Sequence, residues 1–152
     1  MCNIGDDRAL LCNGYTGLTA GYSYADTWIY DASDNNWVQK SLGTTPGLQR
    51  HGLATLGGDK ALLFNGDTWI YDLSEDAWCH STATTGFHSL GESGIANAGA
   101  GKVLIFGGTP IPSESWLFTS GSPCSLGSYC LMTVSAGADE NLYFGYAADQ
   151  CV

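Results

Sequence analysis

Asp26-Thr-Trp-Ile-Tyr-Asp31 recurs without change as Asp67-Thr-Trp-Ile-Tyr-Asp72. Each copy is followed by a second tryptophan nine residues after the first, Trp37 after Trp28 and Trp78 after Trp69. Six identical residues and a matched outlying aromatic mark a duplication, and self-similarity at a period of about 20–50 residues is the signature of a repeat architecture.

Working outward, a second block precedes each copy. Arg8-Ala-Leu-Leu-Cys-Asn-Gly14 is followed by Lys60-Ala-Leu-Leu-Phe-Asn-Gly66 and then Lys102-Val-Leu-Ile-Phe-Gly-Gly108, at spacings of 52 and 42 residues. A fainter fourth copy is Glu140-Asn-Leu-Tyr-Phe-Gly-Tyr146, preceded by Thr133-Val-Ser135, which aligns with Leu53-Ala-Thr55 and Ile95-Ala-Asn97. Glu140 to Phe144 also looks like the body of a protease-cleavage tag, but its alignment with the repeat favours a strand. The chain of 152 residues therefore divides into units of approximately 1–48, 49–86 and 87–126, with an incomplete one at 127–152, all within one domain.

The second unit reads as four short strands. Gly52 to Leu56 is a first strand, Gly57-Gly58-Asp59 a turn, and Lys60 to Phe64 a second, apolar strand. Asn65-Gly66 turns the chain into Thr68 to Tyr71; Asp72 to Ala77 turns it again into Trp78 to Ser81. The first unit enters partway, with Cys2-Asn-Ile4 as the tail of a first strand. In the third, Ser115 to Phe118 keeps the third strand, but no tryptophan follows and the fourth strand is left in doubt. No sustained 3.6-residue apolar period occurs, so almost no helix is expected. Repeats of this length made of four strands predict an all-β fold of β-propeller blades, each a four-stranded antiparallel sheet.

At these residues the sequence resembles the kelch repeat, whose marks are an apolar strand ending in a Gly-Gly doublet, then a tyrosine, then a tryptophan. The doublet is complete as Gly107-Gly108, while Gly14 and Gly66 each follow an asparagine. Tyr30 with Trp37, and Tyr71 with Trp78, fill the aromatic positions; Trp116 matches Trp28 and Trp69, but Phe118 replaces the tyrosine. Recurring in this way, Trp28, Tyr30, Trp37, Trp69, Tyr71 and Trp78 are expected between blades rather than against a ligand. The resemblance implies a ring of six or seven blades, so a little over three leave it incomplete with blade faces exposed. A fragment of a longer product, a homodimer completing the ring, and an open array completed by a partner all fit.

Composition narrows the function. With 44% hydrophobic and 13% charged residues the chain is globular, and a formal charge of -10 repels nucleic acid and anionic membranes alike. Acidic residues sit in turns such as Asp31-Ala-Ser-Asp34 and Asp72-Leu-Ser-Glu-Asp76, as a solvated surface more than a calcium site. No run reaches the ~18 apolar residues of a membrane span, and Met1 to Asp7 has no signal-peptide pattern. The chain thus reads as soluble, with no address.

Catalytic patterns do not emerge. His51, His80 and His88 lack partners at metal spacing, Gly91-Glu-Ser-Gly94 lacks the spacing of a nucleophile elbow, and no carboxylate pair stands out. The six cysteines form no CxxC pair; Cys124 and Cys130 are close enough to bridge or to stay free, and Cys12 reads as a small core residue in the place of Phe64 and Phe106. No metal or other cofactor is expected.

The variable element is the segment between second and third strands. In the first unit it is ten residues longer than in the second and carries Tyr15, Tyr22 and Tyr24. Together with Thr109, Ile111 and Glu114 on the same rim, these form the expected contact surface, because tyrosine supplies contact area at low entropic cost. The resemblance implies a non-catalytic scaffold that binds a protein partner through the loops of one rim. The alternative is a piece of a galactose-oxidase-like or carbohydrate-active propeller enzyme.

Overall fold

Alternation along the apolar strands decides how the sheets stack. The computed structural model describes residues 1–15, 23–81, 92–99, 101–108, 115–120 and 129–132. Twelve strands and no helix are found among the described residues. They form three four-stranded sheets, each running in chain order. The first sheet comprises β1 (Cys2–Asn3), β2 (Arg8–Tyr15), β3 (Ser23–Asp31) and β4 (Asn36–Lys40). The second comprises β5 (Gly52–Gly57), β6 (Lys60–Asn65), β7 (Asp67–Asp72) and β8 (Ala77–Ser81); the third comprises β9 (Gly94–Gly99), β10 (Lys102–Phe106), β11 (Ser115–Ser120) and β12 (Tyr129–Met132). All pairings are antiparallel.

Strand β6 has Ala61, Leu62, Leu63 and Phe64 all buried, as an unbroken apolar run in a sheet covered on both faces should. In β2, Leu10 and Cys12 are buried while Leu11 is exposed; in β10, Val103 and Ile105 are buried while Leu104 and Phe106 are exposed. Period-two burial of this kind means that only one face is covered. The second sheet therefore lies between the first and the third, and the three make an open array.

Two apolar layers result. Ile4, Leu10, Cys12 and Ile29 of the first sheet meet Ala61, Leu63, Tyr71 and Trp78 of the second. On the other face, Leu62, Phe64 and Ile70 meet Val103, Ile105 and Phe118 of the third. Full burial of a side chain such as Phe64 or Leu62 contributes on the order of 1.5–3 kcal/mol, so these layers bind the array together. The first strands approach closely. A Cβ on Gly52 would lie 2.4 Å from Ile95 Cγ2, so the missing side chain of β5 is the room that Ile95 of β9 occupies.

The turns follow the repeat. Gly57 and Gly58 take φ of 105° and 59° in the β5–β6 turn, the positive values expected of a tight hairpin. Asp31 Oδ1 accepts hydrogen bonds from Ser33 N (3.0 Å) and Ser33 Oγ (2.5 Å), and Asp72 Oδ1 accepts the same pair from Ser74 at 3.0 and 2.7 Å. Behind them Arg8 pairs with Asp31 at 3.1 Å and Lys60 pairs with Asp72. The identical hexapeptides thus end in identical Asx-type turns. The third sheet does have a fourth strand: β12 pairs with β11 from Ser120–Tyr129 to Leu117–Met132, at residues beyond 126. No tryptophan marks it, because Leu131 stands opposite Phe118 where Trp78 stands opposite Tyr71.

Candidate functional site

In the second and third sheets the end of the second strand lies beside the start of the first, Phe64 opposite Gly52 and Phe106 opposite Gly94, and Cys12 Sγ of β2 lies 3.9 Å from His51 Nε2 just before β5, so the second-strand ends of the three sheets lie on one rim. The close contact of Gly52 with Ile95, near the starts of β5 and β9, and the bond from Asn97 Nδ2 to Thr55 O (2.7 Å) show that neighbouring sheets run in the same sense. On this rim the β2–β3 hairpin ends with Gly14 opposite Tyr24 and Tyr15 opposite Ser23. Tyr15 is 53% exposed and Tyr24 54%. One step apart in register, the two rings leave opposite faces of the hairpin and so do not form one patch.

Tyr22 lies outside the described residues, as do Thr109, Ile111 and Glu114, although Phe106 and Ser115 on either side of the latter three are described. Asn13 is the residue that the sequence did not single out. It takes a φ of 57° where the β2–β3 register shifts, and both polar atoms of its amide are buried without a hydrogen-bond partner. The shift from Phe-Gly or Phe-Asn to Cys12-Asn13 in the repeat alignment is the only trace of it in sequence.

The open face of the first sheet is a second surface. Tyr30 and Trp37 stack with ring centroids 5.0 Å apart at 41°, and Tyr71 and Trp78 do so at 5.2 Å and 51°. Yet Trp78 is 7% exposed and Trp37 43%. The second pair is core because the first sheet covers it; nothing covers the first pair among the described residues. Beside it is a groove of about 730 Å³ lined by Met1, Cys2, Asn3, Arg8, Tyr30 and Trp37. Trp28 and Trp69 are half-buried in their sheets, and Trp116 packs on the layer between second and third sheets. Gly14 lies one residue before the end of β2, Gly66 lies between β6 and β7, and Gly107 and Gly108 follow β10 directly.

Burial decides the chemistry of the remaining polar groups. His51 Nε2 lies 3.9 Å from Cys12 Sγ, and its Nδ1 lies 3.3 Å from the Leu48 carbonyl oxygen. Burial pushes the Cys12 thiol up to about 12 and lowers His51 below its ordinary value, so the pair is a neutral thiol beside a neutral imidazole. That is the reverse of the thiolate and imidazolium a cysteine nucleophile needs. His80 stacks on Trp69 at 4.5 Å, and His88 lies outside the described residues. Cys79 is disulfide-bonded, and Cys124 lies outside the described residues. Among the described residues no three of His, Cys, Asp and Glu are grouped to hold a metal ion.

Three four-stranded antiparallel meanders, stacked face to face in one sense with first strands in close contact, are blades of β-propeller type. No protein-family model matches the chain, and no curated protein does. Among solved structures it is similar to one described as "Structure of YjhT", a propeller-type protein, with a TM-score of 0.56 and 14% sequence identity over 83% of this chain. The chain spans about half of that structure, 52% of its length. At that identity the likeness concerns the fold alone.

Proposed function

We propose that the chain is a kelch-type segment that serves as a non-catalytic scaffold, binding a protein partner through the rim on which the β2–β3 hairpin ends. The observation that carries this reading is the exposure of Tyr15, where β2 ends, and of Tyr24, where β3 begins, while the other described aromatic residues of these two strands, Trp28 and Tyr30, are at least half-buried. An exposed tyrosine offers a large amphipathic surface with few rotamers to lose, which suits protein contacts. Its base is rigid, since Thr27 and Ile29 of β3 are buried in the layer beneath. The neutral Cys12–His51 pair supports the non-catalytic half of the reading.

The test is affinity capture with the wild-type chain and with a Tyr15→Ala/Tyr24→Ala double variant, both shown by circular dichroism to be folded. A protein retained by the first and lost by the second supports the rim; equal retention by both removes it. Metal analysis of the purified chain checks the other half, and stoichiometric copper would overturn the non-catalytic assignment.

A further inference from the structure

The two open faces of the array are built from the same residues as the two closed layers. On the open face of the first sheet, Ala9 pairs with Tyr30, Leu11 with Trp28 and Tyr30 with Trp37. On the covered face of the second sheet, Ala61 pairs with Tyr71, Leu63 with Trp69 and Tyr71 with Trp78. All five residue types are identical in the two sheets.

The far end of the array repeats the same relation. On the open face of the third sheet, Leu104 lies between Ala96 and Leu117, and Phe106 between Gly94 and Ser115. On the covered face of the second, Leu62 lies between Ala54 and Ile70, and Phe64 between Gly52 and Thr68. Phe106 is 54% exposed where Phe64 is fully buried. The hydroxyl position is also kept, since Ser115 aligns with Thr68 and with Thr27 of the first sheet.

We propose that copies of this chain associate head to tail, the open aromatic face of one first sheet seating on the open face of the third sheet of another. The two faces belong to the complementary types that already meet inside the chain, so each junction continues the established packing. At the centre of such a junction Trp37 stands where Trp78 stands in the first closed layer, and Ser115 where Thr27 stands. Trp78 Nε1 donates to Thr27 Oγ1 at 2.9 Å, and neither Trp37 nor Ser115 has a hydrogen bond from its side chain among the described residues. Three sheets from each of two copies make six, within the range of about four to eight at which propellers close. A heterologous contact that closes on itself gives a ring, not a filament.

The experiment is light scattering coupled to size exclusion on the full chain, on Trp37→Asp, on Phe106→Asp, and on an equimolar mixture of the two variants. The wild type should run at twice 16.0 kDa and each variant at 16.0 kDa. The mixture should recover a 1:1 two-copy species, because the intact tail of one variant meets the intact head of the other. Leu104→Asp replaces Phe106→Asp if circular dichroism shows the latter unfolded. A wild type that stays monomeric up to millimolar concentration overturns the proposal, as it would if residues 133–152 of the same chain covered the third sheet. So does a Phe106→Asp variant that dimerises as well as the wild type, the outcome expected if aromatic faces pair with each other.

Discussion

Trp78 Nε1 donates a hydrogen bond to Thr27 Oγ1 at 2.9 Å across the layer between the first and second sheets, and both residues are buried. The same threonine in the second hexapeptide, Thr68, is equally buried, but its hydroxyl oxygen has no partner. In the third sheet Leu131 holds the register position that Trp78 holds in the second, and it carries no indole N–H. One substitution should therefore act in opposite directions at two identical motifs.

Thr27→Val should destabilise the chain by about 1–3 kcal/mol, because the Trp78 N–H is left buried without an acceptor. Thr68→Val should be neutral or stabilising, since it removes a polar group that is already unpaired. Urea denaturation of both variants and the wild type reads the difference directly; equal losses would mean that the hydrogen bond does not matter.

Gly52→Ala should cost about 1–3 kcal/mol through overpacking, since the added methyl would approach Ile95 Cγ2 to 2.4 Å and Ile95 Cβ to 2.9 Å. Ile95→Ala in the same chain should restore part of the loss. Thermal unfolding of the single and double variants measures this coupling, and simple additivity would refute the close contact.

Cys2 and Cys12, the free thiols among the described residues, should not react while the chain is folded. Burial raises Cys2 to about 11 and Cys12 to about 12, which at pH 8 slows alkylation by about two and three orders of magnitude relative to an ordinary cysteine. Iodoacetamide labelling followed by mass spectrometry should find both unmodified until denaturant is added. Rapid labelling of Cys12 in native buffer would contradict its burial.

Acid should weaken the fold in two stages. Burial lowers His51, so the unfolded chain takes up its proton first and stability declines as pH falls below about 6.5. Asp31 is lowered from 3.8 to about 2 by the Ser33 hydroxyl and then by Arg8, so its contribution is complete above 3.8 and lost as pH falls through 2. For Asp72, burial acts upward, but the hydrogen bonds from Lys60 and Ser74 and the Lys60 charge outweigh it, which adds to the same lower stage. A carboxyl NMR titration should show Ser33→Ala raising the Asp31 value more than Arg8→Ala does.

Most of this fold is written in the repeat. The duplicated hexapeptide and the apolar block before it locate β2, β6, β7, β10 and β11 to within a residue or two, because turn glycines and alternation act locally, whereas β3 begins at Ser23, three residues before the hexapeptide, and takes Tyr24 out of the expected loop. What the motif cannot encode is its neighbour. Trp37 and Trp78 are equivalent in sequence, yet one is exposed and the other buried, since burial depends on which sheet lies opposite. Strand β12 escaped for a related reason: it pairs through its backbone and lacks the tryptophan that marks β4 and β8. The opposed tyrosine directions at the hairpin tip follow from a register shift at Asn13, and an asparagine in a turn dipeptide looks alike in either conformation.

The middle sheet, buried on both sides, also sets how the chain comes apart. In a stack where each layer touches only its neighbours, stability is a sum of nearest-neighbour couplings. The outer layers each hold one coupling and the central one holds both, so either end can open while the rest persists, but the centre cannot loosen without dissolving the whole. Amide protons of β6 and β7 are accordingly the last to meet solvent, and those of the terminal sheets exchange through partial openings that leave the centre intact.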